Sequence, residues 1–244
     1  MTKLYRKRPL LFSLLLIALY VVGASVTDSL SLMLDITSCI TLPFLLLFSA
    51  VLLFFLHKNG LFSEYGFTCP RPPFRRYLCF LPLLLLASTN VWCGALLNMP
   101  LPDTLCYVGS MLLVGLLEEL IFRGFLFRAM LPSGVRSAVI VSSLTFGIGH
   151  FVNLINGSGA QLIENLCQVL GAVAFGFLFV TLYYRGGSLI PCILTHSVLN
   201  ALSAFSNRAA MVGTVDILLS LLLCVGALLY TLFLCKTLPS PEDR

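Results

Sequence analysis

Long apolar runs separated by short polar breaks set the pattern of this chain. A helix needs about 20 mostly apolar residues to span the hydrocarbon core of a bilayer. Stretches at about 9–25, 37–55, 78–97, 104–121, 137–153, 165–184, 188–205 and 215–234 meet that need. The pattern predicts an all-α polytopic membrane protein of about eight transmembrane helices, organised as a single membrane-embedded domain over 1–244. The first run follows a basic leader of Lys3, Arg6, Lys7 and Arg8 and ends near Gly23, Ala24 and Ser25, as a signal peptide would. Its apolar part is longer than the usual segment of about 7–15 residues, which favours an uncleaved first helix.

The breaks carry their own expectations. Residues 57–76 include Cys69-Pro70-Arg71-Pro72-Pro73 and read as an irregular loop, because proline removes donors and fixes the backbone. Between 124 and 136, Phe125, Leu126 and Phe127 beside Arg128 suggest a segment lying along the membrane interface. The polar tail 239–244 reads as frayed.

Composition sharpens this picture. The chain is 59% hydrophobic and 10% charged, against about 25% charged for soluble domains, so a soluble fold is excluded. The net charge of +5 does not point to nucleic acid, since the basic residues fall in the breaks between spans. With eight spans and both termini in the cytoplasm, every Lys and Arg except Arg208 lies on or toward the inner side, as the positive-inside rule requires. The short loops and the lack of an organellar targeting segment suit a bacterial inner membrane. Nine cysteines are scattered without a CxxC pair or metal-type spacing, which argues against a disulfide framework.

Three polar clusters break the apolar runs: Glu118-Glu119-Leu120-Ile121-Phe122-Arg123, Phe146-Gly147-Ile148-Gly149-His150 and His196-Ser197-Val198-Leu199-Asn200. An ionisable residue within a bilayer costs about 2.5–3.5 kcal/mol on insertion scales, so such residues mark cavities and functional sites. Glu119 and Arg123 share a helix face four residues apart and are expected to pair, which leaves Glu118, about 100° around the helix, available for proton transfer. His196 and Asn200 are also four apart, with Ser203 and Asn207 continuing their stripe. His150 shares a face with Ser143 and Gly147, and Gly149 is expected to admit a close neighbouring helix.

A carboxylate, two imidazoles and an amide suit hydrolysis. Glu118 would take a proton from water, and His196 and Asn200 would steady the oxyanion. If a divalent metal such as zinc activates the water instead, its ligands would be His150, His196 and Glu118, although the HExxH signature is missing. The residues lean to the metal-free route. The other function class is a non-catalytic scaffold, immunity protein or transporter that uses the buried polar cluster for binding. No inverted repeat with matching helix breaks supports transport.

The three clusters, in this order, resemble the EExxxR, FxxxH and HxxxN motifs of the CPBP family, the CAAX-protease and bacteriocin-processing intramembrane proteases also called Abi. The resemblance spans about 112–200, within a core at about 104–206. It implies Glu118 as catalytic carboxylate with Glu119 and Arg123 supporting it, His150 as a catalytic or ligand histidine, and His196 with Asn200 as oxyanion donors. It also implies about eight helices around a cavity open toward the cytoplasmic leaflet, and an endopeptidase acting on a membrane-associated or lipidated peptide or protein. Eukaryotic relatives act on prenylated CAAX proteins, whereas bacterial relatives are linked to peptide maturation and bacteriocin self-immunity. One expectation strains the picture: at about 1.5 Å per residue, His196 lies about 12 Å from the inner end of its span and His150 about 20 Å. A later start or a tilt of the fifth helix would bring them level.

Overall fold

A computed structural model describes residues 1–68, 78–156, 161–207, 209–210 and 214–239. The proline-rich stretch from Cys69 with Arg71, Arg75 and Arg76, the exceptional Arg208, and the tail 240–244 lie outside the described residues. Among those described, six helices are long and apolar enough to cross a membrane, so the all-α polytopic expectation is borne out.

Helix α1 (Pro9–Met33) runs well past the expected end near residue 25. In its polar last turns Thr27, Ser29 and Ser31 satisfy their hydroxyls within the helix by donating to the carbonyls of Gly23, Ser25 and Thr27 at 2.8–2.9 Å. Helix α2 (Thr41–Lys58) follows after a short turn. The expected third span is not one helix. Its middle is α3 (Leu81–Ala87), flanked by the short turns Leu78–Phe80 and Thr89–Val91. Pro82 opens that helix, and beyond it Asn90 turns its amide away to the Leu199 carbonyl at 2.7 Å.

Helix α4 (Leu101–Glu118) passes without a break into a π-helical stretch, Glu119–Leu126, and on through Phe127–Met130, giving one apolar span over Leu101–Ser133. Phe125, Leu126 and Phe127 are therefore core residues and not interfacial ones, each exposed by 2% or less. Phe125 meets Phe12, Phe55 and Tyr65 in a cluster of edge-on and tilted rings, and Phe127 meets Tyr183 and Tyr184 edge-on. Then come α5 (Val135–Gly149), α6 (Leu162–Gly186), the shorter α7 (Ile190–Leu202) and α8 (Thr214–Thr237). Leu14, Leu47, Leu84, Leu218 and Leu229 point outward, as lipid-facing positions should.

Side-chain bonds tie each end of the bundle together. At one end Tyr65 donates to Tyr5 (3.0 Å), Arg128 pairs with Glu64 (2.6 Å), and Arg185 donates to the Leu238 carbonyl (2.6 Å), so both ends of the described chain lie there. At the other end Asp103 accepts from the Thr37 amide (2.7 Å), and Asn98 donates to the Ser206 carbonyl (2.8 Å). Charge divides the same way. Lys3, Arg6, Lys7, Arg8, Lys58, Arg128, Arg136, Arg185 and Lys236 lie toward the first end; Asp28, Asp35, Asp103, Glu164 and Asp216 lie toward the second.

Candidate active site

The π-helical stretch begins at Glu119, so the charged pair sits where the backbone turn is widest, a common placement for functional residues. Glu119 and Arg123 are both 0% exposed, with Arg123 Nη1 3.0 Å from Glu119 Oε1. They make an ion pair without a well-directed hydrogen bond. The guanidinium also lies 4.1 Å above the Phe146 ring and 5.6 Å from that of Phe179. Charge and two aromatic faces together hold a cation that water cannot reach.

Helix α7 brings the imidazole to this pair. Gly115 makes the approach possible, since a β-carbon there would lie 2.6 Å from Ser197 Cα, and Ser197 fixes the contact by donating to the Leu112 carbonyl at 2.8 Å. His196 Nδ1 is 2.7 Å from Glu119 Oε1 and must donate to that carboxylate, which sets the ring's orientation. Its Nε2 is 3.4 Å from Glu118 Oε2, within ion-pair range but long for a hydrogen bond. Glu118 is bound from the other side, where the Tyr20 hydroxyl donates to Oε1 at 2.8 Å. The result is a continuous line of polar groups, Arg123, Glu119, His196, Glu118 and Tyr20, contributed by three helices.

Only one end of that line meets open space. Glu118, His150, His196 and Asn200 border a cavity of about 420 Å3, while Glu119 and Arg123 lie behind it in the core. His150 caps α5 and donates Nδ1–H to the Phe146 carbonyl at 3.0 Å; its own carbonyl accepts from Asn165 at 2.9 Å. A second, more apolar cavity of about 220 Å3 meets the first at Phe146, His150, His196 and Asn200 and runs along Phe175, Phe179 and Leu223.

Several expectations change. The two histidines do reach one cavity, but not because α5 starts late: it starts at Val135. Instead α7 begins inside the bundle, where Leu189, 0% exposed, donates its amide to the Gly66 carbonyl at 2.8 Å beneath the 61–68 loop. The close helix approach is made by Gly147, where a β-carbon would stand 3.0 Å from the Val173 amide nitrogen, whereas Gly149 has open space beside it because it borders the cavity. The polar stripe of α7 stops at Ser203, which bonds Tyr107 at 2.9 Å; Asn207 leaves the helix to donate to the Cys93 carbonyl.

Of the zinc set Glu118, His150 and His196, all three border the one cavity, and His196 Nε2 faces Glu118 Oε2 at 3.4 Å; among the described residues no group of three or more His, Cys, Asp or Glu side chains stands together as a set that could hold a metal ion. Tyr20 is the site residue that sequence reasoning missed. Its signal was a tyrosine midway along an oily first helix that carries no motif.

Residues 100–202 match the family model described as type II CAAX prenyl endopeptidase Rce1-like, a stretch that runs from the start of α4 to the end of α7 and contains all three polar clusters. The CAAX-protease resemblance is thereby borne out. No curated protein and no solved structure matches the chain.

Proposed function

We propose, from the premise that residues 100–202 belong to the Rce1-like type II CAAX prenyl endopeptidases, that the protein hydrolyses a peptide bond of a membrane-associated or lipidated substrate with water activated by Glu118. The observation that carries this reading is the line of groups that runs from buried Arg123 and Glu119 through His196 to Glu118 at the edge of a cavity. Polar residues that merely bind helices together have no need of a second carboxylate facing space.

Glu118 accepts a proton from water as the oxygen attacks the scissile carbonyl carbon. The Asn200 amide borders the same space and is the group to donate to the developing oxyanion, with His196 and His150 beside it. Collapse of the tetrahedral species breaks the C–N bond, and Glu118 returns its proton to the departing nitrogen. Glu119, Arg123 and Tyr20 are positioning residues. Arg123 holds Glu119 in place, Glu119 holds Nδ1–H of His196, and Tyr20 fixes the second oxygen of Glu118. The apolar second cavity would take an apolar side chain or lipid group beside the scissile bond.

The test compares membrane peptides from cells with and without the protein, then presents the differing peptides to purified protein in detergent with a strong chelator. The reading expects cleavage at one bond in chelator. Binding without cleavage, with or without added divalent metal, would favour the scaffold or immunity role.

A further inference from the structure

We propose that a separate cavity of about 280 Å3, at the basic end of the bundle, binds the phosphate of an anionic phospholipid headgroup. The inference does not depend on the endopeptidase reading, since Glu118, His150, His196 and Asn200 border other space.

Three segments far apart in sequence build this cavity. The short helix Thr2–Lys7 ahead of α1 supplies Tyr5 and Arg6, the loop after α2 supplies Glu64 and Tyr65, and the continuation of α4 supplies Phe125 and Arg128. Aromatic contacts fix the floor. The ring of Tyr65, 1% exposed, lies 4.9 Å from that of Phe125, and the Tyr5 ring meets Phe125 edge-on at 6.2 Å. Arg128 lies 5.1 Å over the Tyr65 ring while Nη2 donates to the Glu64 carboxylate at 2.6 Å and Nη1 to the Glu64 carbonyl at 2.7 Å. These contacts hold the wall in one shape.

The polar groups of that wall suit a phosphate. Tyr65 gives its hydroxyl hydrogen to the Tyr5 oxygen at 3.0 Å, so the Tyr5 hydroxyl keeps its own hydrogen for an acceptor. Arg6 stands exposed on the next position, and a guanidinium can meet two phosphate oxygens in parallel. Two guanidiniums face one carboxylate across the space, and Glu64 is already held by Arg128, which leaves the charge of Arg6 for a ligand. Lys3, Lys7 and Arg8 stand near it in sequence and add to the positive field. Pro9, at the start of the first long apolar helix, also borders the cavity, so the site lies where a lipid's polar group meets its chains. Basic pockets between helices at that level bind phospholipid headgroups.

Occupation would brace the elements that carry the polar line. Phe125 belongs to the π-helical stretch with Glu119 and Arg123. The loop of Glu64 and Tyr65 runs on to Gly66 and Thr68, whose carbonyls accept from the Ser188 hydroxyl at 3.2 and 2.6 Å just ahead of α7.

Native mass spectrometry of the full-length protein, stripped of lipid in a neutral detergent, tests the site with phosphatidylglycerol, phosphatidylcholine and free glycerol phosphate. Arg6 is exposed, so Arg6→Gln should fold, and it should weaken binding of the first phosphatidylglycerol about fivefold. Tyr5→Phe should weaken it as well. Lys236→Gln removes the same charge at the same end without bordering the cavity and should change binding by less than about twofold. Equal weakening by Arg6→Gln and Lys236→Gln would overturn the site. Phosphatidylcholine held as tightly as phosphatidylglycerol would overturn the preference for an anion, and glycerol phosphate competing as well as the lipid would overturn the lipid assignment. Phosphatidylglycerol should also raise the unfolding temperature of the parent chain but not that of Arg6→Gln; the same rise in both, or none in either, would overturn the bracing.

Discussion

At the scale of single residues, the proposed mechanism separates groups that border the cavity from groups that hold them from behind, and the two kinds should fail differently. Tyr20→Phe removes one donor from a carboxylate, a bond worth about 1.5–3 kcal/mol, so kcat should fall by about tenfold or more with KM little changed. Steady-state kinetics on a peptide substrate checks this. Arg123→Met takes the guanidinium away from buried Glu119, leaving it only the His196 bond, and should cost about 3–5 kcal/mol of stability, read as a lowered unfolding temperature in detergent. The double change Glu119→Leu with Arg123→Met should regain most of that stability yet stay inactive, because His196 Nδ1 has then lost its acceptor. Recovery of activity together with stability would show that the pair serves the fold alone. The local pairings were legible in the sequence: Glu119 with Arg123, and Glu118 set apart from them, both follow from helical spacing. Tyr20 was not, because its bond to Glu118 joins positions 98 residues apart and no periodicity links them.

At the scale of elements, helix contacts in a membrane depend on close backbone approach, since lipid gives no hydrophobic drive between helices. Gly115 is where α4 and α7 touch, and Gly115→Ala would push a β-carbon onto Ser197. The expected cost is about 1–3 kcal/mol, together with a loss of cleavage, because the same displacement draws His196 away from both glutamates. Thermal unfolding and activity measured on one preparation test the coupling. Unchanged stability with lost activity would contradict it. The apolar runs of the long helices were readable from composition. The broken span around α3 and the deep start of α7 were not, since one follows from Pro82 and the Asn90 bond to Leu199 and the other from the bond between Leu189 and Gly66. Both are tertiary contacts that hydropathy cannot register.

At the scale of the whole molecule, a multi-pass membrane protein with an Rce1-like stretch over 100–202 has the polar groups proposed for catalysis gathered by helices that lie far apart in sequence. The three motifs announced which residues would meet, and the structure adds that α1, outside the matched stretch, completes the surroundings of Glu118. Deleting residues 1–33 should therefore abolish cleavage even where the remaining chain inserts, which a comparison of inserted protein with product formed would show. The central claim is that Glu118 is the base that activates water. Its most direct test is the rate of peptide-bond cleavage by purified Glu118→Gln, matched to the unaltered protein in helicity and unfolding temperature. The account predicts a fall of about a hundredfold or more. A rate equal to that of the unaltered protein would contradict it.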